Sequence, residues 1–266
     1  MKVSTLENES KPALKKQGSL NILLAEDNLL QIKLITVLFA QYGIAIQVAV
    51  NGLEAVEKIK TTHFDLVLMD MEMPVMSGYE ATAIIRNELK NNIPIIALTA
   101  NALPSEKEKC LQAGMNDYVS KPIDATGLFN AIYKLTSKII STKSTTNIQK
   151  CTTVSDTVCN MDYLMSATHG NKKIINNIIA VFFKETGKEL IFLNDAIEKI
   201  NYADIGDISH KIKSAFSILG ISQLDPVFKE MEQLSSSTSS IATIELLNQK
   251  VNHIFNQAKE ELMLEN

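Results

Sequence analysis

Four apolar runs of this chain end in residues that can do chemistry. LNILLA runs into Glu26 and Asp27, FDLVLM into Asp70, IIAL into Thr99 and DYVS into Lys121. Three carboxylates on one rim repel one another unless a cation neutralises them, and hard oxygen ligands favour Mg2+. A hydroxyl and an ammonium beside them supply the hydrogen-bond donor and positive charge that a phosphoryl group needs. A second constellation lies in SHKIKSAFSILG, from Ser209. On a helix of about 100° per residue, Ile205, Ile208, Ile212, Phe216 and Leu219 form one apolar stripe. His210, Lys213, Ser214 and Ser217 follow the i, i+3, i+4, i+7 spacing, centred roughly 150° from that stripe. His210 is therefore expected to point to solvent, where a neutral imidazole can attack through a ring nitrogen. Lys213, one turn on, offers charge to a phosphate and disfavours protonated His210. The short side chains of Ser214 and Ser217 leave room for a partner.

The elements that must position these groups are legible from periodicity. Between residues 20 and 140, the runs LNILLAE, IAIQVAV, FDLVLMD, IPIIALTA and DYVSK alternate with helical patterns near Asn28–Tyr42, Gly52–Thr61, Ser77–Lys90, Ser105–Ala113 and Asp124–Lys138. Continuous apolar character suits strands buried on both faces of a parallel sheet. Five such units predict an α/β, doubly wound five-stranded sheet, with ligands beyond the carboxyl ends of the strands. Residues 141–159 are rich in Ser and Thr and read as a flexible linker with an end-to-end distance of roughly 25 Å. Beyond them the strand pattern stops. Helices are expected near Lys172–Thr186, Lys188–Ile200, Ala203–Leu219, Ser222–Leu234 and Ile241–Leu264, which predicts an all-α part, an antiparallel helical bundle over 160–266. Residues 1–19 are polar and non-periodic and read as a tail.

Residues 20–140 resemble a response-regulator receiver domain, a flavodoxin-like fold. The acidic pair Glu26–Asp27, Asp70 followed by MPVMSG, Thr99–Ala100 and Lys121–Pro122 match in the expected order. The resemblance implies that Asp70 is the phosphoacceptor. It implies Mg2+ held by Glu26, Asp27, Asp70 and the backbone carbonyl of Glu72, and a cis Lys121–Pro122 bond. Thr99 and Lys121 would bind the phosphoryl oxygens, with Thr99 and Tyr118 as the switch pair. Residues 160–266 resemble a histidine phosphotransfer domain, on His210, Lys213 and Gly220. That resemblance makes His210 the second phosphoacceptor, Lys213 its charge partner, and Ser214, Ser217 and Gly220 part of the transfer face. Ser214 stands where the family usually has glycine. The implied partners are a sensor histidine kinase upstream and a receiver of a response regulator downstream. Such arrangements form the C-terminal part of hybrid sensor kinases, so the chain is read as a separate relay module or a piece of such a kinase.

Composition excludes several alternatives. Residues 20–140 carry ten basic and thirteen acidic side chains and 160–266 carry ten and fourteen, so neither half has the basic excess of a nucleic-acid binder. Cys110, Cys151 and Cys159 show no metal spacing and suit a reducing, cytoplasmic setting. No apolar run approaches the ~20 residues of a membrane span. Trp is absent and aromatics make up 6%, so aliphatic cores are expected. There is no glycine-rich ATP lid, and the chain is not expected to use ATP itself. Two rival readings stay open: a Mg2+-dependent phosphohydrolase with Asp70 as nucleophile and Glu72 as general acid–base, and a scaffold that carries no phosphate.

Overall fold

The structure is a computed structural model that describes residues 20–100, 104–136 and 158–264. The expected N-terminal tail, Cys151 and most of the expected linker lie outside the described residues. Five strands, β1 (Ile22–Ala25), β2 (Ile46–Ala49), β3 (Leu66–Asp70), β4 (Ile95–Thr99) and β5 (Asp117–Ser120), form one parallel sheet in the order β2-β1-β3-β4-β5. Helices α1 (Leu29–Ala40), α2 (Gly52–Thr61), α3 (Gly78–Asn87), α4 (Pro104–Gln112) and α5 (Ala125–Thr136) flank it. The expected alternation of strand and helix is met in full.

Side-chain alternation along the strands divides the core in two. Ile22, Leu24, Leu66 and Leu68 pack with Ile35, Leu38 and Phe39 of α1 and with Phe129 and Ile132 of α5. Leu23, Ala25, Val67 and Met69 pack on the other face with Ala55, Val56, Ala81, Ile85 and Cys110. Two-sided burial is why these strands read as unbroken apolar runs. The chain reverses direction across the sheet between β1 and β3, and their carboxyl ends carry Glu26, Asp27 and Asp70.

The helical C-terminal region contains α6 (Asp162–Ala167), α7 (Lys172–Glu198), α8 (Tyr202–Ile218), a 3-10 turn at Ser222–Leu224, α9 (Asp225–Ser236) and α10 (Ile241–Leu264). This region departs from the sequence expectation in four places. First, α7 is one helix of 27 residues, not two. Gly187 leaves its pattern unbroken because Thr186 and Leu190 stay buried on either side and Lys188 bridges back to Glu185 at 2.9 Å. Second, α6 escapes periodicity because it spans only six residues. Third, Val158 and Cys159 do not behave as linker. Both amides donate to Glu261, at 2.7 and 3.2 Å, and Cys159 is buried in the helical core. Fourth, this core is not simply aliphatic, because Phe182, Phe216, Phe228 and Phe255 stack through it at 5.3–6.0 Å between ring centroids.

Helix α1 serves both parts. Ile35, Leu38 and Phe39 face the sheet, whereas Leu30 and Leu34 are buried in the cluster of the helical region. Lys33 Nζ donates to Asn177 Oδ1 at 2.7 Å and Gln41 Nε2 to the Ala167 carbonyl at 3.2 Å. Tyr163 of α6 donates to the carbonyl of Ile123 at 3.1 Å, beside the cis Lys121–Pro122 bond. No helix among the described residues is long and apolar enough to cross a membrane.

Candidate functional site: an acid rim facing a histidine

Parallel register brings the strand-end residues together. Glu26 is fully buried, Asp70 is 5% exposed and Asp27 half-buried, with ligand oxygens of all three within 4.8 Å of one another. Lys121 Nζ lies 2.8 Å from both Glu26 Oε2 and Asp70 Oδ2. The Lys121 amide donates to the Thr99 carbonyl at 2.7 Å, which ties the ends of β4 and β5, and the Thr99 side chain is buried. Gly78 opens α3, and a Cβ there would run into the carbonyl of Asp70. That glycine lets the helix start pass directly behind the acid.

Electrostatics leaves this rim short of positive charge. Burial pushes Glu26 up to about 8 despite Lys121. Burial, then the charge of Asp70, also raises Asp27. Burial alone would lower Lys121, but Glu26 and Asp70 outweigh it and hold the ammonium charged. One lysine does not neutralise three acids, so the donor set fits a hard divalent cation.

His210 does not point to bulk solvent. Its helix turns it away from the helical core, as the stripe geometry requires, but the surface it meets belongs to the receiver-like part. His210 Nδ1 lies 2.9 Å from Glu72 Oε2 and 3.2 Å from Glu232 Oε1. Burial pulls its pKa down, but the hydrogen bonds to Glu232 and Glu72 outweigh that and push it up to about 9. The His210 contact in turn lowers Glu72. A cavity of about 350 Å³ joins the two parts, lined by Asp27, Asp70, Glu72, His210, Lys211 and Ser214 among others.

The structure sorts the remaining candidates. Ser214 is buried at the junction, and its carbonyl faces Gln31 Nε2 at 3.5 Å. Lys213 is tied to Glu232 at 3.5 Å and lines a neighbouring cavity with Ala100 rather than the one holding Asp70. Ser217 turns its hydroxyl onto the Lys213 carbonyl of its own helix. Gly220 ends α8 at φ +65°, against the backbone of Asn160, so it is a turn residue rather than part of the face. Tyr118 is half-buried on β5, with Lys107 Nζ 5.6 Å from its ring centre. Sequence reasoning missed Glu232 and Lys211 as neighbours of this site, and the contact of the Glu72 carboxylate with His210. It also missed Asn28, which caps α1 through Oδ1 and donates from Nδ2 to the Lys211 carbonyl at 3.2 Å.

Residues 22–133 match the family described as response regulator receiver domain. Hybrid signal transduction histidine kinase B of Dictyostelium discoideum is 42% identical over 125 residues, covering 42% of this chain and 6% of that protein. Signal transduction histidine-protein kinase BarA of Escherichia coli strain K12 is 27% identical over 225 residues, covering 81% of this chain and 24% of that protein. That second alignment is too long to be confined to residues 22–133. The solved receiver domain of sensor histidine kinase PA1611 from Pseudomonas aeruginosa, with magnesium coordinated in its active-site cleft, is 37% identical and covers 45% of this chain and 99% of its own, at a TM-score of 0.41. The chain thus spans a small part of the length of the kinases it resembles.

Proposed function

We propose, from the premise that residues 22–133 are a response regulator receiver domain, that this chain is a phosphorelay intermediate in which Asp70 and His210 exchange a phosphoryl group. The helical region is then a histidine phosphotransfer domain, an antiparallel bundle with His210 on α8. The observation that carries this reading is the cavity shared by Asp70 and His210, with the imidazole held at its edge by Glu72 and Glu232.

The chemistry follows from the donors. The resting imidazolium first gives its Nε2 proton to solvent, and with the Nδ1 proton directed at the two carboxylates, the lone pair of the neutral His210 so formed is on Nε2. That lone pair forms the N–P bond as the bond between phosphorus and the Asp70 oxygen breaks, and the carboxylate leaves with its electron pair. The proton stays on Nδ1, so the product is an N-phosphoimidazolium facing a free Asp70. Lys121 compensates the carboxylate that departs, and the Thr99 hydroxyl donates to a phosphoryl oxygen. Thr99 and Tyr118 act as the switch pair. Receiver domains bind Mg2+ at such an acid site. Here Glu26, Asp27, Asp70 and the Glu72 carbonyl would hold it, and it supplies charge neutralisation to the phosphoryl group.

The upstream partner is a sensor histidine kinase and the downstream one a receiver of a response regulator. The phosphohydrolase reading is disfavoured because the Glu72 carboxylate is engaged by His210 rather than poised as a general acid–base. The test supplies a phosphorylated sensor kinase and Mg2+ and follows radiolabel on wild type, Asp70→Asn and His210→Gln. The relay predicts a base-stable, acid-labile label that needs both residues. Label that needs Asp70 alone overturns the His210 step, and label that needs neither overturns the whole reading.

A further inference from the structure

The cavity between the two parts is rich in acid. Glu26, Asp27, Asp70 and Glu72 line it from the receiver, and Glu189 and Asp207 line it from the helical region. Lys211 is the one lysine or arginine among its described lining residues, and it is held there from two directions. Its carbonyl accepts from Asn28, at the start of α1. Its ammonium lies 2.8 Å from Glu189 Oε1 on α7. Across the junction it shares the lining of this cavity with Asp27, and a second, smaller cavity is again lined by Asp27, Glu189 and Lys211 together. Lys213, which its spacing from His210 makes the obvious partner, is occupied by Glu232 on the other side of the imidazole.

This arrangement matters when Asp70 is phosphorylated. The phosphoryl group adds negative charge to a cavity already lined by six acids, and when His210 is neutral for attack the helical region's remaining positive charge there is the ammonium of Lys211. A positive group held beside the transferred charge stabilises it through the transfer, and rate should respond to its removal. Glu189 and Asp27 line the cavity with Lys211, so its ammonium has carboxylates on both sides of the junction.

We propose that Lys211 is a positioning residue for the exchange between Asp70 and His210, supplying the helical region's share of positive charge to the receiver's acid rim. The proposal rests on the relay reading above. It adds a determinant of which rim can face His210: one with acids at the Asp27 position, set against an α8 with a cation directly after the histidine.

The test uses the full chain. Asp70 is labelled with radioactive acetyl phosphate and Mg2+, and the appearance of base-stable label is timed in wild type, Lys211→Met and Lys211→Arg. Hydrogen exchange of the α1 amides is recorded in parallel. Lys211→Met keeps the apolar stem and removes the charge. The expected result is a transfer about tenfold slower in Lys211→Met and within about threefold of wild type in Lys211→Arg, with α1 protection and Asp70 labelling unchanged. Wild-type transfer in Lys211→Met overturns the proposal. So does equal slowing in both variants with loss of α1 protection, which marks a merely structural role. Absence of base-stable label in wild type itself overturns the relay reading, and the proposal with it, and is distinguished from the other outcomes by that fact.

Discussion

His210 Nδ1 and Glu72 Oε2 stand 2.9 Å apart, so the imidazole of the helical region is held by a residue two positions beyond Asp70. The contact joins the two parts at the place where the chemistry is assigned. Glu72 is 59% exposed, which limits the strength of this pair. Reversing its charge with Glu72→Lys should weaken the junction by about 1 kcal/mol, and amides of α8 around His210 should exchange several-fold faster. Unchanged exchange would mean that the contact holds nothing.

The apolar part of the junction should matter more. Leu34 is 3% exposed and buried against the helical region rather than the sheet. Leu34→Ala should cost the junction about 2–3 kcal/mol while leaving the sheet core of Ile35, Leu38 and Phe39 intact. Small-angle scattering should show a larger radius of gyration, base-stable label should form more slowly, and Asp70 should label as before.

Gly220 offers a separate check on what the helical end of the site is for. Its φ of +65° and the backbone of Asn160 beside it leave no room for a side chain. Gly220→Ala should lower stability by about 2 kcal/mol or more, seen as an earlier thermal transition. Gly43→Ala, at φ +70° with open space around it, should cost about 1 kcal/mol. At low temperature the Gly220 variant should still transfer phosphate, because its position is in a turn and not in the cavity.

Metal dependence follows from the crowding of three acids around one lysine. Asp27→Asn should reduce Mg2+ affinity at least tenfold by calorimetry, and chelation of Mg2+ should suppress Asp70 labelling in wild type. Retention of full affinity in Asp27→Asn would remove Asp27 from the metal set.

Much of this was legible in the sequence, for reasons that also explain the gaps. The strands announced themselves because both faces are buried, and the rim followed because Asp70, Thr99 and Lys121 sit where apolar runs stop. The helical wheel put His210 off the apolar stripe correctly, yet the conclusion that it faces solvent failed. A wheel describes one helix, and the surface that covers His210 and Ser214 comes from residues far away in the chain. The hint was in α1, where Leu30 and Leu34 extend the apolar character beyond what Ile35, Leu38 and Phe39 need for the sheet. Glu232 carries no local signal at all. It reaches His210 only because α9 folds back on α8, twenty-two residues on.

Exchange between Asp70 and His210 of one chain is tested most directly by the concentration dependence of that step. With Asp70 pre-labelled, base-stable label should appear at a first-order rate that does not change over a hundredfold range of protein concentration. A mixture of Asp70→Asn and His210→Gln chains should transfer far more slowly. A wild-type rate that rises in proportion to concentration, matched by the mixture, would contradict the account.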